Sequence, residues 1–147
     1  MSIRSTRCVA APAAVVHDLL TDIAAWRLWS PHVARVEPAD GHVRAGQQLR
    51  VRPWFGPPTH MDVETVDPPH GMTWSTTAAG HVLRYGQQVR PTGDATCEVV
   101  FTATVEGPAG RLATAGAAPL SALGQRRRLA RLATLAELLH ARGTPAG

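Results

Sequence analysis

The pattern of apolar and polar residues predicts that the chain begins with a strand followed by two short helices. Residues 2–11 (SIRSTRCVAA) contain β-branched side chains and few breakers, which is typical of a strand. Pro12 suits the first turn of a helix, and apolar residues recur after it at i, i+4 and i+8. The next stretch, AAWRLWSP, continues as a second helical piece and ends at Pro31, because the residue before a proline is disfavoured in the α region. We therefore expect both helices to lie within 12–31.

Residues 33–106 alternate between apolar and polar side chains in short segments, which is the period of a strand. Turn sequences rich in Gly, Pro and Asp separate the segments: PADGH, PWFGPPTH, DPPHG, TAAGH and PTGD. The segments themselves are HVARVE, HVRAGQQLRVR, MDVETV, MTWSTT, VLRYGQQVR and ATCEVVFTATVE. They predict six further strands and therefore seven in all.

From about Arg111 to Arg142 the pattern becomes helical, with leucines on one side and arginines over the rest of the surface. Gly116 and Pro119 interrupt it early, so the long uninterrupted helix is expected to begin near Pro119. The run QRRRLAR (125–131) is interpreted as the solvated face of this helix.

The order of these elements predicts an α+β fold built as a single domain over residues 1–147. A chain of 147 residues is long enough for one compact core and too short for two ordinary ones. The C-terminal helix is the only predicted element long enough to cover one face of a seven-stranded antiparallel sheet. A sheet that curves around one helix leaves a cavity between the two, and such cavities bind small molecules.

Composition and charge disfavour several other classes of protein. All 15 basic residues are arginine, the net charge is only +4, and no basic run is interleaved with aromatic residues, so nucleic-acid binding is not expected. Cys8 and Cys97 stand far apart without a CxxC motif, which argues against a disulfide framework or a zinc knuckle. No apolar run is long enough for a secretory signal or a membrane span, so a soluble cytoplasmic protein is expected.

Alternation along the strands predicts which side chains face the cavity. The apolar members of this inward set are Leu49, Val51, Met61, Val63, Met72, Trp74, Leu83, Val89, Cys97, Val99, Phe101, Ala103 and Val105. The polar members are Thr76, His81, Tyr85 and Gln87. An apolar lining with a few polar groups is the usual composition of a pocket for a hydrophobic ligand. The residues expected to contact the substrate are Met61, Met72, Trp74, Thr76, Gln87, Val99 and Phe101.

Two residues of the inward set are candidates for catalysis. Tyr85, the only tyrosine, could donate a hydrogen bond to a ligand carbonyl, and His81 could move a proton near neutral pH. Structural roles remain open for both: Tyr85 as a core residue bonded to the backbone or to water, and His81 as a turn residue.

The hairpin tip RPWFGPPTH is unusually apolar for a turn. Its Trp54 and Phe55 are expected either to cap the cavity and contact the substrate or to lie in a homodimer interface. A monomer and a homodimer therefore both remain open.

No cofactor or metal site is expected from the sequence. His60, Asp62 and Glu64 share one face of a predicted strand, but same-face neighbours are about 7 Å apart and this face is the outer one. The histidines show no HxH or HExxH spacing, and GxSxG, P-loop and GxGxxG motifs are absent.

The stretch APAAVVHDLLTDIAAWRLWSPHV resembles the opening of the helix-grip (SRPBCC or START-like) superfamily. That superfamily groups START lipid-transfer domains, birch-pollen-allergen-like proteins and bacterial polyketide cyclase/dehydrase proteins. The matching positions are Pro12, Asp22, Trp26, Trp29 and Pro31, and VRPTGDATCEVVFTATVEG is similar to the family's penultimate hairpin and final strand. The resemblance covers almost the whole chain and implies a curved seven-stranded sheet that grips the long C-terminal helix. It favours a mainly structural role for the two tryptophans.

The resemblance implies an enzyme of secondary metabolism, a lyase or isomerase of the polyketide cyclase/dehydrase type. In such an enzyme the pocket folds a reactive polyketone or polyene and promotes its cyclisation or dehydration, largely through orientation. Tyr85 would polarise a carbonyl, His81 would shuttle a proton, and Gln87 and Thr76 would orient the chain.

Ring-forming members of the family tend to carry an inward arginine, whereas the strand arginines of this chain fall on outward positions: Arg50, Arg52, Arg84 and Arg90.

Two alternatives to an enzyme remain open. A non-catalytic carrier would hold a lipid or another hydrophobic metabolite in the same pocket. A third class, an interaction protein, would bind an acidic partner through QRRRLAR.

Overall fold

The computed structural model describes residues 2–78, 80–106 and 110–143, so the tip of the TAAGH turn and the GPA segment after the last strand lie outside the described residues. The helices are α1 (Ala13–Thr21), a 3₁₀ turn (Ile23–Ala25), α2 (Trp26–Trp29) and α3 (Gly110–Gly143). The strands are β1 (Ser2–Val9), β2 (Val33–Glu37), β3 (Gln48–Pro53), β4 (Thr59–Asp67), β5 (Gly71–Ala78), β6 (His81–Gly93) and β7 (Thr96–Glu106).

The seven strands form one antiparallel sheet in the order β1-β7-β6-β5-β4-β3-β2. Helix α3 packs on β1 and β7 at one edge of the sheet and also contacts α1 and α2. The predicted α+β fold, a curved seven-stranded sheet with a long C-terminal helix, is confirmed. No helix in the described ranges is long and apolar enough to cross a membrane.

Strand β3 and helix α3 differ most from their predicted bounds. Strand β3 begins at Gln48, and residues 41–43 bond to residues at and just after the end of α1: the Val43 amide donates to the Thr21 carbonyl at 2.9 Å, and the Ile23 amide donates to the Gly41 carbonyl at 3.0 Å. Gly46 and Gln47, directly before β3, bond to Val63 of β4. Helix α3 is continuous from Gly110, so it begins before the interruption that the sequence predicts.

Strand β4 contains an irregularity that changes its alternation. Val63 pairs with Trp74, but Thr65 pairs with Thr73, so the residue between them is extra, as in a β-bulge. Val63 is buried, and Val66, which strict alternation would turn outward, also packs against the core. The bulge therefore keeps both valines on the core side.

Helix α3 is anchored to β1 and to Ala10, the residue that follows it. The Ser5 hydroxyl donates to Gln125 Oε1 at 2.7 Å, and Glu137 Oε2 accepts from the backbone amide of Ala10 at 2.9 Å. Between these anchors Leu129 and Leu132 are buried in the core. The two polar contacts fix which side of α3 faces the concave surface of the sheet.

Candidate ligand-binding cavity

A cavity of about 320 Å³ lies between the concave face of the sheet and the helices. Its described lining comes from all three helices and from strands β2 to β7. The volume falls within the range of pockets for small ligands, about 300–1,000 Å³. Most lining side chains are apolar, and the exposed ones, His32 and Thr59, mark where the cavity meets solvent.

Most of the predicted contact residues on β4 to β7 lie in this lining: Met61, Trp74, Thr76, Tyr85, Gln87 and Phe101. They are adjacent because the strands pair in register, with Trp74 opposite Tyr85 and Gln87 opposite Phe101. Strand alternation alone places these side chains on one face of the sheet.

The structure places five other candidates outside the described lining. Met72 and Val99 face inward, but they are 2% and 0% exposed and lie within the packed core. Trp54 and Phe55 are 67% and 93% exposed, because their turn projects into solvent between lining residues Pro53 and Thr59. His81 begins β6 and is partly buried, and its Nδ1 has no hydrogen-bond partner among the described residues.

Trp74 and Tyr85 form a stacked aromatic pair in the lining of the cavity. Their rings stack with centroids 4.2 Å apart and an interplanar angle of 16°. Burial raises the pKa of the Tyr85 phenol, with a smaller opposing effect from the positive charge of Arg128. Tyr85 is therefore neutral at physiological pH and can donate its hydroxyl proton in a hydrogen bond.

Two polar atoms on β5 are buried without a partner. Trp74 Nε1 and Thr76 Oγ1 make no hydrogen bond to any described residue, although both side chains line the cavity. Buried polar groups are nearly always satisfied, and an unsatisfied one requires an explanation such as a bound water or ligand. The two atoms are therefore available to a polar group inside the cavity.

Arg128 of α3 also lines the cavity, whereas the run QRRRLAR predicts a solvated position for it. Arg126 and Arg127 are exposed, as expected of a solvated run, but Arg128 is partly buried. Burial lowers its pKa, with a smaller opposing effect from Tyr85. Helical phase indicates the inward position of Arg128. Gln125, Arg128 and Leu132 recur at i, i+3 and i+7, on the same side of α3 as the buried leucines.

His32 lines the cavity at the place where the cavity meets solvent. Its Nδ1 lies 3.2 Å from the buried Ser30 hydroxyl. Burial lowers its pKa first, and the positive charge of Arg128 lowers it further. The imidazole is therefore mostly neutral at neutral pH.

Trp26 and Trp29 serve both the fold and the cavity. The Trp26 indole donates to the Leu20 carbonyl at 2.8 Å, and the Trp29 indole donates to the Leu19 carbonyl at 3.2 Å. These carbonyls lie in the last turn of α1, where a helix leaves acceptors without intrahelical partners. Both rings are buried, and both form part of the cavity wall.

One group of side chains outside the cavity has donor atoms close enough to hold a metal ion. Atoms of Asp18, Asp22 and His42 all lie within 4.8 Å of one another on the surface. His42 Nε2 is already paired with Asp18 Oδ1 at 2.8 Å, and Asp22 Oδ1 accepts from the Ala24 amide at 3.2 Å. The group is therefore satisfied by its own contacts.

The polar side chains on the outer face of β4 pair with side chains of other strands. Glu64 pairs with Arg84 at 2.8 Å, and Asp62 accepts from Gln48 at 2.9 Å. His60, on the same face, is exposed.

The chain is similar to several known proteins. The family model described as polyketide cyclase / dehydrase and lipid transport matches residues 1–137. Comparison with curated protein sequences finds none that matches this chain.

Solved structures share the fold at low sequence identity. A protein from Mesorhizobium loti is 17% identical with a TM-score of 0.70, and the match covers 98% of this chain and 99% of that one. The di-domain ARO/CYC BexL from the BE-7585A biosynthetic pathway is 20% identical with a TM-score of 0.68, covering 91% of this chain and 45% of BexL. DynU16, a protein in the dynemicin biosynthetic locus, is 18% identical with a TM-score of 0.70, covering 90% and 46%.

Proposed function

The chain belongs to the polyketide cyclase / dehydrase and lipid transport family, and on that premise we propose that it binds a hydrophobic small molecule in its cavity and promotes its cyclisation or dehydration. The observation that carries the proposal is the set of free donors in an apolar space. Tyr85 presents a neutral phenol, and Trp74 Nε1 and Thr76 Oγ1 have no protein partner among the described residues. Donors held in place before the substrate binds are suited to stabilise charge that develops on a carbonyl oxygen.

Tyr85 is the proposed electrophilic catalyst. Its hydroxyl donates to a ligand carbonyl, while the stacked pair of Trp74 and Tyr85 packs against the ligand chain and limits its conformations. Thr76 and Gln87 line the same region and orient neighbouring oxygens. Most of the acceleration then comes from holding one conformer of a reactive chain, and the described lining contains no cysteine thiol.

His32 is a better placed base than His81. His81 lies four residues from Tyr85 on β6, which is about 13 Å along a strand, and it is not among the described lining residues. His32 lines the cavity and is mostly neutral. With Nδ1 donating to Ser30, Nε2 can accept a proton from the carbon between two ketones.

An aldol step neither gains nor loses atoms or electrons, so it requires no cofactor. The enolate carbon attacks a second carbonyl, whose oxygen accepts a hydrogen bond from the Tyr85 hydroxyl. The resulting alkoxide then takes back the proton from His32. Loss of that hydroxyl as water, with removal of the adjacent proton, completes a dehydration.

A carrier without chemistry is the second candidate, and the apolar lining favours it equally. In that case the cavity holds a lipid or hydrophobic metabolite, and the free donors bind its polar group. The same cavity residues would then govern affinity and no bond would change.

Replacement of Tyr85 by Phe separates the two candidates. With linear poly-β-ketone thioesters as substrates, we expect Tyr85→Phe to lower kcat by about 100-fold, the usual effect of removing one donor to a developing oxyanion. Affinity for the substrate should change by less than about threefold, because one neutral hydrogen bond contributes little net binding energy. His32→Ala should also lower kcat, and His81→Ala should not.

His60→Ala on the exposed outer face is the matched control and should leave both quantities unchanged. A parent protein that binds these thioesters without turning them over would support the carrier. Equal turnover by the parent and Tyr85→Phe would contradict the role assigned to Tyr85.

A further inference from the structure

The Arg128 guanidinium has no negative partner in the part of the chain that the structure describes. The ion pairs of the described residues all lie elsewhere, such as Arg84 with Glu64 and Arg90 with Glu98 on the outer face of the sheet. Glu137, the acid on the same helix, lies nine positions further along and accepts from the Ala10 amide. The charge of Arg128 is therefore uncompensated by any described carboxylate.

Placing this charge in the cavity lowers the free energy of unfolding unless a negatively charged group pairs with it. An arginine side chain stays protonated in proteins, so burial cannot discharge it. Removing a charge from water without a partner is destabilising, and such groups are frequent in functional sites. Arg128 lines a cavity whose other walls are mainly apolar, so its natural partner is a group that enters with a ligand.

The helix holds Arg128 in this orientation. Gln125, three residues earlier and on the same side of α3, is bonded to Ser5 of β1 at 2.7 Å. Leu129, the next residue, is buried in the core. The guanidinium is thus directed by contacts on either side, and its charge acts on both Tyr85 and His32.

We propose that the cavity binds an anionic hydrophobic ligand, an aromatic or alicyclic carboxylic acid whose carboxylate pairs with Arg128. A planar guanidinium fork matches a carboxylate through two parallel hydrogen bonds, and Tyr85 can add a third donor. The ring system of the ligand then packs against the stacked pair of Trp74 and Tyr85, where aromatic contacts are favourable. This inference rests on the proposed function, because it names the class of molecule that the same cavity accepts.

The test compares two probes of similar size and shape, of which only one carries a negative charge. 2-Naphthoate carries a carboxylate, and methyl 2-naphthyl ketone has a methyl group in place of one carboxylate oxygen. Binding of each is measured by isothermal titration calorimetry to the parent, Arg128→Gln, Arg128→Lys and Arg127→Gln. Arg127 is the matched control because it is exposed on the same helix and its replacement removes the same charge.

We expect the parent to bind 2-naphthoate at least about tenfold more tightly than the ketone, as a charge-assisted bidentate pair requires. Arg128→Gln should remove that preference by weakening naphthoate binding and leaving ketone binding within about threefold. Arg128→Lys should retain part of the preference, since it keeps the charge and loses the fork. Arg127→Gln should bind both probes as the parent does.

Folding of the variants is checked by thermal unfolding. Arg128→Gln should unfold at the same temperature as the parent or at a higher one, because it removes an unpaired charge from the cavity. Equal affinity of the parent for both probes, or an unchanged preference in Arg128→Gln, overturns the anionic ligand and leaves cavity binding intact. A parent that binds neither probe overturns this inference, whereas the proposed function fails only if the parent neither binds nor converts the poly-β-ketone thioesters.

Discussion

Trp26 and Trp29 each use an apolar ring and a single N–H donor. The donors satisfy the carbonyls of Leu20 and Leu19 at the end of α1, and the rings close the cavity at that end. The two indoles therefore act as a side-chain cap for a helix whose own sequence provides no glycine at its C-terminus. Trp54, by contrast, is 67% exposed in the hairpin tip.

Trp26→Phe should lower the free energy of unfolding by about 1–3 kcal/mol, because it leaves a buried carbonyl without its donor. Urea denaturation monitored by circular dichroism measures the change. Trp54→Phe is the matched control and should change the free energy of unfolding by less than about 0.5 kcal/mol, as most surface substitutions do. Equal losses in the two variants would show that the hydrogen bond from the Trp26 indole to the Leu20 carbonyl does not add to the free energy of unfolding.

At the scale of elements, the turn between β4 and β5 has a backbone position that only glycine fits. Gly71 has a φ of 130°, and a Cβ there would overlap the backbone carbonyl oxygen of Gln87 on β6. Gly46, in the segment before β3, also has a positive φ of 81°, but nothing lies near the position of its Cβ. The two glycines share the conformational requirement and differ in the close approach of a neighbouring strand.

Gly46→Ala should cost about 1–2 kcal/mol, the usual penalty for an alanine in the left-handed region. Gly71→Ala should cost at least about 2 kcal/mol more, since β5 and β6 must also move apart. Chemical denaturation of both variants under the same conditions gives the difference. Similar losses would mean that the β5–β6 contact adjusts without cost.

On the scale of the whole molecule, two histidines couple stability to pH. Burial lowers the pKa of His17, with Asp18 opposing it less strongly, and burial together with Arg128 lowers that of His32. A histidine whose folded pKa lies below its unfolded value of about 6.5 binds fewer protons in the folded state. The free energy of unfolding therefore decreases as the pH falls below that value.

His17→Gln should reduce this loss of stability on the acid side. The measurement is the difference in the free energy of unfolding between about pH 7 and about pH 5, obtained from denaturation curves of the parent and the variant. His60→Gln is the control, because His60 is exposed on the outer face of β4. A variant with the same pH slope as the parent would exclude His17 as a source of the acid sensitivity.

How much of the site could be predicted depended on the type of element. Strand alternation was sufficient to place Trp74, Thr76, Tyr85 and Gln87 on the cavity face, because a period of two needs no knowledge of the neighbours. It failed to separate Met72 and Val99 from the lining, since all inward positions look alike in sequence and the curvature of the sheet decides which are covered. Arg128 was missed because a run of three arginines was interpreted by composition rather than by helical phase.

By itself, the sequence determined the order of strands and helices, most of the inward positions on β3 to β7 and the family, because these follow from local periodicity and from residues close together along the chain. Only the tertiary structure decided where the concave sheet and α3 separate enough to leave about 320 Å³ of space, and which polar groups meet there. His32, Tyr85 and Arg128 lie on three distant segments, so their electrostatic coupling exists only once α3 has packed across the sheet. The physical reason is that local patterns specify directions of side chains, whereas a cavity depends on distances between elements that no local pattern contains.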